Sequence, residues 1–142
     1  MIYFDTSYLV RLYYRDPGCD QVRALAATDH VACAALGQAE MMAAFHRKLR
    51  EGAIKVAVYA ALVDQVETHI KAGAFQWLTQ DQDILFRVRH VYRNLPATVW
   101  LRGADAIHLG TAAEAGFRTV FSNDAHLLAA AKHFGIEGRN VI

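Results

Sequence analysis

The chain has 142 residues, enough for one domain around one hydrophobic core. Hydrophobic residues make up 54% and charged residues 20%, which excludes a disordered chain. The formal net charge of +1 excludes a uniformly basic nucleic-acid binder, so any phosphate contact must come from a local cluster of Lys and Arg.

Met1 to Phe4 is a short apolar run that ends at Asp5, the pattern of a strand buried on both faces. Thr6 or Ser7 can cap a helix from Tyr8 to Tyr14. Asp16, Pro17 and Gly18 break it, and a second helix runs to Ala27. His30 to Cys33 reads as a strand. Leu36 to Glu51 is helical, with Met41, Phe45 and Leu49 one turn apart on a core face and Gly52 as the stop. Lys55 to Ala72 forms a further helix closed by Gly73, and Phe75 to Leu78 a strand.

Thr79 and Gln82 fit a capping box for the next helix, which places Ile84, Leu85, Val88, Val91 and Tyr92 on one side. Pro96 separates it from a helix over Ala104 to Ala115, stopped by Gly116. Thr119 to Phe121 is a strand, a helix runs from Asp124 to Phe134, and Asn140 to Ile142 forms an edge strand. Strands alternating with helices predict an α/β fold in one domain, with a parallel sheet covered by helices on both faces.

The two cysteines, Cys19 and Cys33, have neither metal-site spacing nor a redox-pair motif. They read as small apolar residues of a reducing compartment. Asp5 and Arg11 interrupt any signal-peptide pattern, and no apolar stretch is long enough to span a membrane. A cytoplasmic protein is the expectation.

Four acids stand out. Asp5 and Asp124 each follow a strand, at the carboxyl end where open parallel sheets bind ligands. Glu40 sits inside a helix among Leu36, Ala43 and Ala44. Asp105 opens an almost wholly apolar helix, with His108 three residues later on the same face. Each has a bland explanation: Asp5 and Asp124 as helix caps, Asp105 as a partner of the helix dipole, Glu40 as a solvated partner of Arg47. Taken together, carboxylates converging in a cleft repel one another unless a cation lies among them. Oxygen-only donors select Mg²⁺ or Mn²⁺, and such a site suits phosphodiester hydrolysis.

Asp5-Thr6-Ser7 after an apolar strand, the internal Glu40, then Arg102-Gly103-Ala104-Asp105-Ala106-Ile107-His108-Leu109 and Ser122-Asn123-Asp124 together resemble the PIN-domain ribonucleases. Length and alternation look like the VapC toxins of bacterial type II toxin–antitoxin modules, across essentially the whole chain. The resemblance implies a three-layer α/β/α sandwich around a mostly parallel sheet of about five strands, spanning residues 1–142 as one PIN-like nuclease domain. It implies Mg²⁺- or Mn²⁺-dependent endonucleolytic cleavage of RNA by Asp5, Glu40, Asp105 and Asp124. Thr6 and Ser122 match hydroxyl positions that hold the acids and nearby water in place. Homodimerisation and neutralisation by a cognate antitoxin are implied as well. Many relatives carry a further acid after the last Asp, where this chain has Ala125, His126, Leu127 and Leu128; this departure implies a weaker second metal position.

On this reading Asp5, Asp105 and Asp124 hold one Mg²⁺, Glu40 completes the pocket, and cleavage leaves a 5′-phosphate and a 3′-hydroxyl. Arg47, two turns from Glu40, and Arg11 are the leading phosphate contacts. Arg15, Lys48, Arg87, Arg89 and Arg93 are further candidates, each of which also fits a solvated face. His46, His90, His108 and His126 have no zinc-site spacing, and Tyr13, Tyr14, Trp77 and Trp100 fit core or interface positions. An aspartyl-nucleophile phosphatase would want a second Asp where Ser7 stands, and a receiver domain would want an acidic pair near the first strand. The remaining alternative is a non-catalytic RNA- or protein-binding module of the same fold.

Overall fold

The computed structural model describes residues 1–142. Five short strands form one parallel sheet: β1 (Ile2–Phe4), β2 (Val31–Ala34), β3 (Gln76–Leu78), β4 (Thr119–Phe121) and β5 (Glu137–Arg139). Their spatial order is β3-β2-β1-β4-β5. The chain winds outward from β1 in one direction through β2 and β3, then returns to build β4 and β5 on the other side. That reversal opens a crevice between β1 and β4 at their carboxyl ends, the place where such sheets bind ligands.

Seven helices cover the sheet: α1 (Thr6–Tyr13), α2 (Cys19–Ala26), α3 (Leu36–Arg50), α4 (Val56–Lys71), α5 (Gln82–Asn94), α6 (Gly103–Glu114) and α7 (Ala125–Ala130). Successive strand residues point to opposite faces, and the core divides accordingly. Tyr3, Ala32 and Val120 pack with Val91, Leu109, Leu127 and Phe134 under α5, α6 and α7. Phe4, Val31 and Cys33 pack with Leu9, Val22, Met41, Phe45 and Val66 under α1 to α4. This is the expected three-layer α/β/α sandwich, with every strand pair parallel. No helix is long and apolar enough to cross a membrane.

Several local expectations need correction. Asp5, not Thr6 or Ser7, caps α1: its side chain accepts from the Tyr8 N–H. Asp81, not a Thr79–Gln82 box, caps α5 by accepting from the Ile84 N–H. In both places the carboxylate just before the helix is a better acceptor for the free N–H groups than the hydroxyl nearby. The last helix is α7 followed by a 3₁₀ turn, Ala131–Phe134, which ends at left-handed Gly135. The final strand is Glu137–Arg139 rather than Asn140–Ile142. Alternation is a weak signal there because Gly138 interrupts it. Cys19 and Cys33 are buried free thiols.

One glycine sets how closely α3 approaches the sheet. A Cβ on Gly37 would lie 2.7 Å from Cys33 Sγ and 3.4 Å from Thr6 Oγ1. Both neighbours are constrained, so the helix would have to move, and Glu40 lies one turn further along it. Gly37→Ala is expected to destabilise the protein by about 1–3 kcal/mol, as overpacking of a tight contact does. Urea unfolding checks this; unchanged stability would mean that α3 seats more loosely than this contact implies.

Candidate active site

The crevice is built from the ends of four elements. Asp5 follows β1, Glu40 lies in the second turn of α3, Asp105 in the first turn of α6, and Asp124 follows β4 and caps α7. All four line one pocket of about 320 Å³, together with Thr6, Ser7, Arg102, His108 and Asn123. No apolar residue lines it. The chain therefore gathers the expected acids from both faces of the sheet over its carboxyl edge.

Asp5 is buried, at 5% exposure, and held by three hydrogen bonds. Its Oδ1 accepts from Ser7 Oγ at 2.6 Å and from the Tyr8 N–H at 3.1 Å. Its Oδ2 accepts from Ser122 Oγ at 2.6 Å. Burial raises the Asp5 pKa; the hydrogen bonds from Ser122 and Ser7 pull the other way without cancelling it. Ser122 Oγ also accepts the Asp124 N–H at 2.9 Å, so one hydroxyl ties two of the acids together. Asp124 uses Oδ1 for the His126 and Leu127 N–H groups.

Glu40 is held differently. Its Oε2 accepts from Thr6 Oγ1 and from His108 Nε2, the latter at 2.7 Å. The other ring nitrogen, Nδ1, lies 3.2 Å from the Tyr3 hydroxyl, which accepts the Ala34 N–H. Burial alone would raise the Glu40 pKa, but His108 and Thr6 outweigh it and hold Glu40 below the usual carboxylate range. Burial alone would lower His108; its polar partners Cys33 and Glu40 push it up to about 10. With the buried Cys33 thiol pushed up and uncharged at neutral pH, the Glu40 carboxylate is the ionised partner that keeps the His108 shift upward. His108, on the same helix face as Asp105, pairs with Glu40 instead, and the bland reading of Glu40 as a solvated partner of Arg47 does not hold. The imidazole reaches across the sheet edge to Glu40, and Glu40 turns inward from its helix.

Asp105 is met by Arg102. The guanidinium donates from Nε to Asp105 Oδ2 at 2.7 Å and from Nη2 to Asp105 Oδ1 at 3.3 Å. Nη2 also donates to Asp124 Oδ2 at 2.6 Å. Sequence reasoning gave Arg102 no role, yet one signal was present. A basic residue at the N-terminus of a helix opposes the helix dipole, so it calls for another reason to be there.

The basic residues also divide. Arg11 is committed to the Pro17 and Ser7 carbonyls and to Asn123 Oδ1. Lys48 forks onto both oxygens of Asp16, at 2.9 and 3.0 Å, and lies over the Tyr14 ring. Arg87 pairs with Glu114. Arg47 is exposed and lines a surface groove with Glu40, His46 and Arg50 that runs from the acidic pocket. Trp77 packs against the core, whereas Trp100 is 63% exposed and sits edge-on to His126.

The donor chemistry fits a hard divalent cation: four carboxylates, flanking hydroxyls, no sulfur and no free imidazole nitrogen aimed into the pocket. The acids do not form a closed cage, since no three acidic, His or Cys side chains cluster tightly enough to hold an ion unaided. Arg102 supplies the positive charge between Asp105 and Asp124 instead.

The raised Asp5 pKa has a consequence for stability. The folded state holds the Asp5 proton more tightly than the unfolded chain, whose carboxyl titrates near 3.8. Asp5 thus favours folding at low pH, and that contribution is lost as pH rises through the raised folded value. In EDTA, Asp5→Asn is expected to melt higher than the parent at neutral pH, and the gap should narrow toward pH 3.8. Thermal melts across this range check it; an equal or lower melting temperature at neutral pH would contradict burial as the dominant effect.

Comparison with known proteins bears on the family and the fold. A family model, the PIN domain, matches residues 2–134. A crystal structure of FitAcB from Neisseria gonorrhoeae superposes with TM-score 0.77 at 19% identity, covering 99% of this chain and 97% of that one. FitAB bound to an IR36 DNA fragment gives 0.73 at 17% identity, covering 99% and 94%. VapBC2 from Rickettsia felis, bound to a DNA fragment from its promoter, gives 0.68 at 14% identity, covering 99% and 98%. No curated protein sequence matches the chain. The strand order, the acidic crevice and the family match over nearly the full length agree: the chain belongs to the PIN-domain family.

Proposed function

We propose that this protein is a Mg²⁺- or Mn²⁺-dependent endoribonuclease, acting as the toxin of a type II toxin–antitoxin module. The observation that carries the catalytic reading is the convergence of Asp5, Glu40, Asp105 and Asp124 in one wholly polar pocket at the sheet's switch point. Membership of the PIN family supports nuclease chemistry. FitAcB and VapBC2, similar in fold, support the toxin assignment and a cognate antitoxin as partner. A homodimer in the cytoplasm completes the proposal.

Asp5, Asp105 and Asp124 would hold the cation, with Glu40 completing the acidic wall. The bound cation would lower the pKa of water and neutralise charge on the phosphate and the leaving oxygen. Asp5 is fixed in one orientation by three donors, two on Oδ1 and one on Oδ2, which leaves an acceptor site on Oδ2 for the cation. Ser122 and Thr6 lock the acids through their hydroxyls. Glu40, kept ionised and oriented by His108, is placed to accept a hydrogen bond from the attacking water and aim it at phosphorus. Arg47 lies on the groove beside Glu40 and is free of ion pairs, so it can meet the RNA backbone. Arg11, spent on internal partners, contributes its charge at the rim. In-line attack would leave a 5′-phosphate and a 3′-hydroxyl.

A second reading, a non-catalytic RNA- or protein-binding module, rests on one observation: Arg102 already neutralises two of the four acids. Incubation of purified, partner-free protein with total RNA separates the two. Discrete cleavage with Mg²⁺ or Mn²⁺, abolished by EDTA, is expected. Asp5→Asn should remain folded and lose more than about 100-fold in cleavage rate, beyond the 10–100-fold typical of groups that merely orient ligands. No cleavage with either metal would favour the binding module.

Ser122→Ala should fall within that range, about 10–100-fold, because it frees Asp5 and the Asp124 N–H without removing a carboxylate. Cleavage assays on both variants in parallel check the order; a Ser122→Ala loss equal to that of Asp5→Asn would place the hydroxyl among the groups that touch the reaction.

A further inference from the structure

Arg102 is the one Arg or Lys side chain lining the acidic pocket, and it takes up acceptor positions that a metal would need. Its guanidinium engages both oxygens of Asp105 and the one oxygen of Asp124 not used to cap α7. It bridges two elements, the start of α6 and the turn before α7, that are otherwise joined there by no side-chain hydrogen bond between Asp105 and Asp124. Its side chain is 58% exposed, so solvent can receive the guanidinium when it leaves. Arg102 is always charged, so the bridge does not depend on pH in the physiological range.

We propose that Arg102 is an internal, displaceable counter-ion that competes with the divalent cation for Asp105 and Asp124. The inference rests on the metal-dependent reading of this pocket. In the metal-free protein Arg102 holds the two acids at bonding distance from a common point and offsets their repulsion. Arg102 fills an acceptor direction on each oxygen it engages and sets a positive charge beside the same acids. A cation taking up Asp105 and Asp124 therefore competes with it, and metal affinity reports the difference between two ligands of the same carboxylates. Metal binding is weakened by the competition, and the pocket is kept from collapsing or splaying when empty. Once released, the guanidinium stays tethered at the rim by the chain before α6. There its planar fork suits a phosphate oxygen pair. Arg102 then acts as a positioning residue for the metal and as a phosphate partner only after the metal is in place.

Mn²⁺ binding, followed by electron paramagnetic resonance of the free ion without RNA, tests this directly. Three folded proteins are compared: the parent, Arg102→Ala and Arg102→Lys. Arg102→Ala should bind Mn²⁺ about 10-fold more tightly, the shift expected when two half-exposed ion pairs no longer compete. Its melting temperature in EDTA should drop, and saturating Mn²⁺ should raise it by more than it raises that of the parent. Arg102→Lys keeps the charge but loses the fork, so its affinity should lie between the other two. Equal or weaker Mn²⁺ binding by Arg102→Ala would overturn the proposal while leaving the metal site intact. Absence of Mn²⁺ binding by all three would overturn the metal reading and this proposal with it.

Discussion

A carboxylate buried at the end of the central strand constrains much of this molecule. Asp5 cannot be left in a low-dielectric position without donors, and it receives three from two places: Ser7 Oγ and the Tyr8 N–H in the first turn of α1, and Ser122 Oγ after β4. Ser122 can reach it only because β4 pairs directly with β1, with Phe4 opposite Phe121. The Ser122 N–H in turn donates to the Arg139 carbonyl, so β5 steadies the residue that steadies Asp5. The strand order β3-β2-β1-β4-β5 is thus tied to the site's chemistry as well as to packing. The same residue starts α1, so one side chain ends a strand, begins a helix and faces the pocket.

A second polar chain joins the two helical layers across the sheet edge. Tyr3 points into the layer of α5 to α7 and bonds His108 on α6; His108 bonds Glu40 on α3, in the opposite layer. Thr6 closes the link from α1. These groups are polar and mostly buried, and each member has a partner, the condition under which a buried network specifies one arrangement instead of destabilising it. Gly37 permits it by letting α3 sit close to Cys33 and Thr6. The acids are therefore positioned by three devices: hydroxyls and backbone amides for Asp5 and Asp124, an imidazole and the Thr6 hydroxyl for Glu40, and the Arg102 guanidinium for Asp105.

Much of this was legible in the residues. The apolar run before Asp5 marked a strand buried on both faces, Thr119 to Phe121 read as a second strand before Asp124, and an acid after a strand is conspicuous because it must be compensated. The ordered set of four acids pointed to the family, and the alternation of strands and helices to the layers. What the sequence could not show were relations at long separation. His108 and Glu40 are 68 residues apart, and neither periodicity nor spacing links them. The Arg102 bridge to Asp124 spans 22 residues and depends on how α6 docks beside α7. Short-range errors had a different cause: at Asp5 and Asp81 a capping carboxylate competed with nearby hydroxyls, and local pattern favours neither. Asp5 and Asp124 also show that a cap and a site residue need not be rival readings, since each uses one oxygen for the helix and turns the other elsewhere.

On the proposed reading these carboxylates, held by these devices, would form a single cation site at the switch point. Anomalous diffraction from crystals of the protein grown with Mn²⁺ tests it most directly. The expected result is an anomalous peak bounded by Asp5, Asp105 and Asp124, with the Arg102 guanidinium moved off both of its carboxylate partners. A Mn²⁺ peak elsewhere on the molecule, or none in the pocket with Arg102 still bridging Asp105 and Asp124 at saturating metal, would contradict it.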